Sequence, residues 1–164
     1  MTIFDHLIAG ALPASFVHQD ERCVAFMDIS PITPGHVLVV PRQSVATLDA
    51  LDAEARAHLW EVARKVGVAQ RQALGSVAQH LLVNDGPGAS QSVPHVHIHV
   101  IPRYGGDTLR TVTSACWRRG GGRARRAASS CRRWRSASRL PWPEGCAVHT
   151  APELRRMSPL SPYD

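Results

Sequence analysis

Three histidines alternate with β-branched apolar residues in the middle of the chain, and this stretch offers the most chemistry. The run reads His95-Val96-His97-Ile98-His99-Val100. Successive side chains of a β-strand point to opposite faces, so this pattern predicts three imidazoles on one face and apolar side chains in a core. Clustered imidazoles can act as nucleophile, proton donor or metal ligand near neutral pH.

The segment before these histidines, residues 84–94, is rich in Gly, Ser and Pro. Such a loop allows close backbone approach and offers donors to phosphate oxygens, although taken alone it is usually a simple turn. Ser92 lies three residues before His95, and Gln91 is next to it. A neutral imidazole attacks phosphorus well and gives a labile product, which suits two-step transfer. The loop and the alternating histidines together therefore favour a phosphate-handling site.

The surrounding pattern predicts an α+β sandwich with an antiparallel sheet of about five strands. Ile3, Phe4, Leu7 and Ile8 recur at helical spacing and predict a short N-terminal helix. A long helix is predicted over residues 52–74, capped by Asp52 and ended by Gly75, with a stripe made of Leu59, Val62, Val66, Ala69 and Ala73. The predicted strands cover residues 15–18, 23–29, 36–40, 81–83 and 96–101, the last stopped by Pro102.

Charge divides the chain into two unlike parts. Residues 1–110 carry 8 Lys and Arg against 10 Asp and Glu, whereas residues 111–164 carry 11 Arg against 3 acids. A basic-protein argument for nucleic acid therefore does not apply to the whole chain. We expect one domain over residues 1–106 and a poorly ordered, Arg/Pro/Ser-rich tail over residues 107–164.

Two origins of this tail stay open. One hypothesis is out-of-frame translation of a GC-rich gene, because such frames are rich in Arg, Ala, Gly, Ser and Pro codons. The other is a natural basic tail that contacts nucleic acid or an acidic partner. We favour the first, since interaction tails usually have more regular charge blocks.

The cysteines predict a reducing compartment. Of the four, only Cys23 lies in the patterned region, where a buried free thiol in a strand is expected. There is no Cys-x-x-Cys pair, no secretory signal and no long apolar run. These features predict a cytoplasmic protein without membrane contact.

Several separated segments match those of one known protein family, in that family's order. They are Ile3-Phe4, residues 25–31, 34–36, 40–42, 84–86 and 91–94, and the run His95-Val96-His97-Ile98-His99-Val100-Ile101. On these residues the chain resembles the histidine triad family of nucleotide hydrolases and transferases, whose signature is His-φ-His-φ-His-φ-φ. The resemblance covers about residues 2–104 and does not extend into the tail.

The resemblance implies a role for each matching residue. His97 would attack the α-phosphorus and carry the nucleotidyl group, and His99 would bind phosphate oxygens. His95 would hold the orientation and tautomer of His97, partly through main-chain contacts. Asp28 would accept the ribose hydroxyls. The implied apolar positions around the base are Ile3, Phe4, Leu7, Phe26 and Ile29, the implied polar contacts to phosphate or leaving group are Asn84, Gln91 and Ser92, and His36 is a further histidine near the triad.

The residues alone leave other interpretations open. Phe4, Leu7, Phe26 and Ile29 sit at core spacings. Asp28 can cap a turn before Ser30, and His36 can be a strand-end residue exposed to solvent. The remaining histidines are expected at the surface without assigned chemistry: His6, His18, His58, His80 and His149.

The reaction implied by the resemblance is hydrolysis of a purine nucleoside monophosphate joined to a leaving group X, with a homodimer as the expected assembly. X can be an amine, as in a phosphoramidate, or a nucleotide, as in a dinucleoside polyphosphate. The transferase branch is disfavoured, because its third triad position is usually glutamine and here it is His99. No metal cofactor is expected, except a divalent metal that arrives with a polyphosphate substrate.

Two other function classes remain as alternatives. One is a zinc hydrolase that uses the three histidines as ligands. The other is a non-catalytic nucleotide-binding or scaffolding module. Some family members carry a structural zinc site built partly on cysteines near the N-terminus, and the stretch Thr2-Ile3-Phe4-Asp5 implies that this site is absent here.

Overall fold

The computed structural model describes residues 1–107, and it confirms the predicted α+β class. Five antiparallel strands form one sheet in the order β1-β2-β3-β5-β4. The elements are α1 (Ile3–Ile8), β1 (Phe16–Gln19), β2 (Cys23–Met27), β3 (Val37–Pro41), α2 (Ala53–Leu74), β4 (Ala78–Val83) and β5 (Ile98–Arg103), with short 3₁₀ turns at Leu48–Ala50 and Pro87–Ala89. The predicted tail, from residue 108 onward, lies outside the described residues.

The long helix α2 begins and ends where its local sequence predicts. The Asp52 carboxylate accepts a hydrogen bond from the Ala55 amide at 2.7 Å and so caps the first turn. Gly75 ends the helix with φ of 68°, in the left-handed conformation that glycine adopts without strain. Within residues 1–107, no helix is both long enough and apolar enough to cross a bilayer.

Each face of the sheet has its own apolar cluster. The face against α2 is buried under the helix stripe, and its cluster includes Val37, Val39, Ile98, Val100, Leu59, Val62 and Val66. The opposite face carries a smaller cluster, to which α1 contributes one buried side chain: Phe4, Val24, Phe26, Leu38 and Val40. The apolar members of the alternating run therefore fill the α2 side, which leaves the histidines for the α1 side.

All five predicted strands are present, but the bounds of each differ from the prediction, and β5 begins only at Ile98, so that His95 and His97 precede it. The shifts at β4 and at the end of β5 have a clear cause. β4 starts at Ala78 rather than at residue 81, because it pairs with β5 along its whole length. Pro102 does not stop β5, which continues to Arg103. Proline lacks an N–H, but β3 pairs with β5 only as far as Val100, so no β3 acceptor is left without its donor at Pro102. The Pro102 carbonyl instead accepts a hydrogen bond from the Thr33 hydroxyl at 2.7 Å.

Gly35, at the entrance to β3, combines a positive φ of 91° with close packing. A Cβ atom there would overlap Leu74 Cδ1, whereas a Cβ at Gly10, with φ of 75°, would meet nothing within 4 Å. We expect Gly35→Ala to lower the free energy of unfolding by about 2 kcal/mol, and the matched control Gly10→Ala by about 1 kcal/mol. Urea unfolding of both variants measures the difference; equal losses would contradict the packing argument.

Candidate active site

His97 is held in one tautomer by a main-chain carbonyl. Its Nδ1 lies 2.8 Å from the carbonyl oxygen of His95, so Nδ1 carries the proton and Nε2 carries the lone pair. The side chain is buried, and this burial lowers its pKa below the ordinary value of 6.5. His97 is therefore a neutral imidazole with an unprotonated nitrogen, the form that attacks phosphorus.

His95 is fixed from two sides. Its Nε2 donates to the Pro41 carbonyl at 2.9 Å, so its Nδ1 is the acceptor for the Thr2 hydroxyl at 3.2 Å. The Asp5 carboxylate lies 3.5 Å from the same Nδ1. The end of β3 and the N-terminus of α1 thus orient His95, and the carbonyl of His95 orients His97.

A second chain of contacts runs through His36 and His99. His36 Nε2 lies 3.0 Å from His99 Nδ1, and both side chains are buried. Burial, reinforced by the neighbouring histidines, lowers the pKa of each to about 3. The rings of His97 and His99 lie 4.7 Å apart between centroids, so this second chain ends beside His97. The interpretation of His36 as a solvent-exposed strand end is therefore wrong; the fold of β3 onto β5 buries it.

Two groups compete for Nδ1 of His36. The Asp28 carboxylate lies 3.2 Å from it, and the amide of Ile32 donates to it at 3.3 Å. When Asp28 accepts its proton, His36 becomes an acceptor towards His99; when Ile32 donates, His36 becomes a donor towards His99. The position of Asp28 thus sets the direction of hydrogen bonding along this chain. The other Asp28 oxygen accepts from the Ser30 amide at 2.8 Å, which is the turn-capping contact.

The candidate base-contacting residues divide into buried and exposed positions. Phe4 and Phe26 are buried in the cluster on the α1 side, edge to face at 5.6 Å, and Leu7 packs against them. Phe4 also meets the His97 ring edge to face at 5.2 Å. Ile3 is half-exposed and Ile29 is 91% exposed. The core interpretation of Ile29 is therefore wrong, because the chain turns away from the sheet after Met27.

The three predicted polar residues of the loop differ in burial and in hydrogen bonding. Asn84 is nearly buried at the end of β4, and Ser92 is exposed. The Gln91 side chain accepts from the Gly86 amide at 2.9 Å and donates to the Ala46 carbonyl at 2.8 Å. Gln91 thus holds the loop against the segment after β3.

The donor atoms limit where a metal ion could bind. Among residues 1–107, three ligand-bearing side chains converge in two places, Asp28-His36-His99 and His18-Asp20-Cys23. The three histidines of the alternating run do not converge on one point, because each is hydrogen-bonded in a different direction. A zinc site built on Thr2, Asp5 and His95 does not fit either, since Thr2 offers a hydroxyl where such a site uses a thiolate.

Sequence reasoning missed several supporting residues. Gln70 is fully buried on α2 and donates to the carbonyls of Gly35 and Val100, each at 3.0 Å. It thereby fixes the backbone next to His36 and His99. The sequence does contain an indication of this role, because Gln70 is a polar residue on the otherwise apolar stripe of α2. Thr2 and Asp5 carried no such signal, since their contacts with His95 span about 90 residues of sequence.

One histidine expected at the surface is buried. His18 is 6% exposed and contacts Asp20, because a bulge between Phe16 and His18 breaks the alternation of β1. His58 and His80 are half-buried, His6 is exposed, and His149 lies outside the described residues.

Comparison with known proteins finds relatives of this chain. The model of the HIT domain family matches residues 9–106. The protein named Protein hit from Bacillus subtilis is 38% identical over 103 residues, which are 63% of this chain and 71% of that protein. A bifunctional bis(5'-adenosyl)-triphosphatase/adenylylsulfatase FHIT from Arabidopsis thaliana is 43% identical over 95 residues, which are 58% of this chain and 53% of that protein.

A solved structure agrees with these sequence matches. The crystal structure of a zinc-bound histidine triad family protein from Mycobacterium smegmatis superposes with a TM-score of 0.68 at 32% identity, covering 83% of this chain and 91% of that one. The fold, the alternating histidines and these similarities lead to one assignment: the chain belongs to the HIT domain, or histidine triad, family.

Proposed function

We propose that this protein hydrolyses compounds in which a nucleoside monophosphate is joined to a leaving group X, through a nucleotidyl intermediate on His97. One observation carries the proposal. The Nδ1–H of His97 donates to the carbonyl of His95 at 2.8 Å, which leaves Nε2 as an unprotonated nucleophile on a buried, neutral ring.

The reaction has two steps. Nε2 of His97 attacks the α-phosphorus, a nitrogen–phosphorus bond forms, and the bond from phosphorus to X breaks. X leaves with the electron pair and takes up a proton. Water then attacks the same phosphorus, the nitrogen–phosphorus bond breaks, and the nucleoside monophosphate is released with His97 neutral again.

The hydrogen bonds around His36 support a matching role for His99. On this proposal the ribose hydroxyls of the substrate donate to Asp28 and draw its carboxylate away from His36. The Ile32 amide then remains the partner of His36 Nδ1, so His36 donates from Nε2 to Nδ1 of His99. His99 then carries its proton on Nε2, where it donates to a phosphate oxygen and stabilises the developing charge.

The leaving group separates two branches of this proposal. The name of the Arabidopsis relative includes bis(5'-adenosyl)-triphosphatase, which favours a dinucleoside polyphosphate, although this chain spans only about half of that protein. A phosphoramidate fits the same mechanism. Parallel turnover of adenosine 5'-phosphoramidate and diadenosine triphosphate, the latter with and without magnesium, distinguishes the branches.

Trapping the intermediate tests the proposal itself. Quenching turnover of a substrate labelled at the α-phosphorus with an alkaline denaturant should leave label on the protein. Later treatment with acid should release that label, because a nitrogen–phosphorus bond to histidine is stable to base and labile to acid. Peptide mapping should place the label on residue 97. Nucleotide binding without release of monophosphate and without label would contradict the proposal and favour a non-catalytic binding module.

Asp28→Asn tests the ribose contact. The amide keeps the shape of the side chain but loses one acceptor oxygen, so we expect KM for the adenosine substrate to rise about 10-fold or more. The decisive control is the 2',3'-dideoxy substrate, which lacks both hydroxyls. Wild type should discriminate against it and Asp28→Asn should not; equal discrimination by both proteins would contradict this role for Asp28.

The family resemblance also implies a homodimer, which stays a prediction for this chain. Light scattering of the full chain, coupled to size-exclusion chromatography, measures the molar mass directly. A monomer that retains turnover would show that the site is complete within one chain.

A further inference from the structure

A second cluster of ionisable side chains lies at the β1–β2 hairpin, away from the three histidines of the triad. One oxygen of Asp20, Oδ2, is 2.7 Å from Nε2 of His18 and 2.8 Å from Nε2 of His58. The sulfur of Cys23 lies 3.7 Å from the same oxygen. These four residues, the hairpin cluster, join β1, the β1–β2 turn, β2 and α2 at one point.

The types of atom in this cluster are those that zinc prefers. Imidazole nitrogen, carboxylate oxygen and thiolate sulfur are the protein ligands of Zn²⁺, and sites of four such ligands are tetrahedral. Two neutral imidazoles, one carboxylate and one thiolate together neutralise a divalent cation. The hairpin cluster is therefore matched to Zn²⁺ in both ligand type and charge.

The donor atoms of His18, Asp20 and Cys23 all lie within 4.8 Å of one another, and His58 joins this group through its contact with Asp20. Ligand atoms placed at 2.0–2.3 Å from a tetrahedral ion are about 3.3–3.7 Å apart. The 3.7 Å between Asp20 Oδ2 and Cys23 Sγ already falls in this interval. The two histidine contacts need to open by about 0.6 Å, and the His58 side chain, one third exposed on α2, is placed to make that adjustment.

Hydrogen bonds outside the cluster hold Asp20 in position. Its other oxygen, Oδ1, accepts from the amides of Arg22 and Cys23 at 2.8 and 2.7 Å, and its carbonyl accepts from Arg42 at 2.6 Å. Burial acts to raise the pKa of the Asp20 carboxyl, but hydrogen bonds from Cys23 and His18 outweigh burial and hold this pKa well below its ordinary value. Metal ligands are typically oriented by outer hydrogen bonds of this kind.

An entry path leads to the cluster. A cavity of about 270 Å³ is lined by Cys23 and His58, together with Pro41, Leu51 and Ala55 from the neighbouring elements. This cavity therefore gives solvent and ions an approach to the side of the cluster formed by His58 and Cys23.

We propose that His18, Asp20, Cys23 and His58 form a structural Zn²⁺ site that ties the β1–β2 hairpin to α2. This site is independent of the proposed hydrolysis, since none of its ligands lies in the triad. Bound zinc would link elements that are distant in sequence, so it should stabilise the folded chain rather than take part in phosphorus chemistry.

The first experiment measures zinc bound by the full chain after removal of metal and reloading, with mass spectrometry of metals and a competing chelator for affinity. We expect one equivalent of Zn²⁺ and a higher Tm with zinc than without it. His58→Ala should weaken binding at least about 100-fold, because it removes a direct ligand. His6→Ala, which removes an exposed histidine outside the cluster, should leave affinity unchanged.

Cobalt substitution tests the sulfur ligand. In a full chain with Cys116, Cys131 and Cys146 replaced by serine, Cys23 is the remaining thiol. Co²⁺ should then produce a thiolate charge-transfer band and tetrahedral d–d bands, and both should disappear when Cys23→Ser is added. Circular dichroism of each variant confirms that it is folded.

Three outcomes would overturn the proposal. The first is no zinc retained at micromolar free metal. The second is one equivalent of Zn²⁺ that stays bound in both His58→Ala and Cys23→Ser. The third is zinc that is kept in His58→Ala but lost in His36→Asn, which would place the ion at Asp28-His36-His99 instead.

Discussion

Replacing His97 with alanine should reduce the release of nucleoside monophosphate by about 10,000-fold or more, because the nucleophile itself is removed. Substrate affinity should change far less, since Asp28 and the apolar residues remain. Steady-state turnover measures the loss, and equilibrium titration with the product nucleotide measures retained binding.

Two controls make this result specific. His6→Ala removes an exposed histidine from α1 and should leave turnover unchanged. His97→Gly leaves a cavity beside Phe4, so added imidazole should restore part of the activity by acting as the nucleophile. Turnover in His97→Ala close to that of wild type, in folded protein, would rule out the nucleotidyl-His97 mechanism.

Acid should destabilise this fold well before the carboxylates titrate. Burial lowers the pKa of both His36 and His99 to about 3, from an ordinary value of 6.5. Below pH 6.5 the unfolded chain binds protons at these two imidazoles and the folded chain does not, so acid favours the unfolded state. We expect the two histidines to remove about 3 kcal/mol of unfolding free energy between pH 6.5 and pH 5.

Urea unfolding at several pH values in this interval measures the slope. Carboxylates stay largely ionised there in both states, because their ordinary pKa values are near 4. His36→Asn keeps a polar side chain but removes one of the buried histidines whose pKa is lowered, so its slope should fall clearly below the wild-type value. The matched control His6→Asn should keep the full slope. An unchanged slope in His36→Asn would mean that His36 is protonated in the folded protein.

These two predictions concern connected parts of one site. The same burial that keeps His97 neutral and nucleophilic also keeps His36 and His99 neutral, and the fold loses stability in acid for that reason. The stability of the protein and the chemistry that we propose for it thus depend on the same desolvated histidines.

Local patterns were enough to predict much of the fold. The helix 52–74 follows from the cap at Asp52, the apolar stripe and Gly75, all of which act within a few residues. The alternation of residues 95–100 likewise predicts which side chains enter the core, because the two faces of a strand are set by the backbone itself. The family resemblance added the expected role of each matching residue.

Contacts between distant segments could not be predicted in this way. The bulge in β1 decides that His18 is buried, and the turn after β2 decides that Ile29 is exposed. Pro102 stays in its strand because β3 has already ended beside it. Each of these outcomes depends on the register or path of another segment, which carries no signal in the local sequence.

The sequence by itself determined the class of fold, the caps of α2 and the set of histidines available for chemistry, because these depend on backbone geometry over a few residues. Only the tertiary structure decided how those histidines act. It brings three pairs of groups within hydrogen-bond distance: the carbonyl of His95 with His97, His36 with His99, and His58 of α2 with Asp20 of the hairpin. The physical reason is that tautomer and pKa are set by hydrogen-bond partners and by burial, and both arise when segments far apart in sequence pack together.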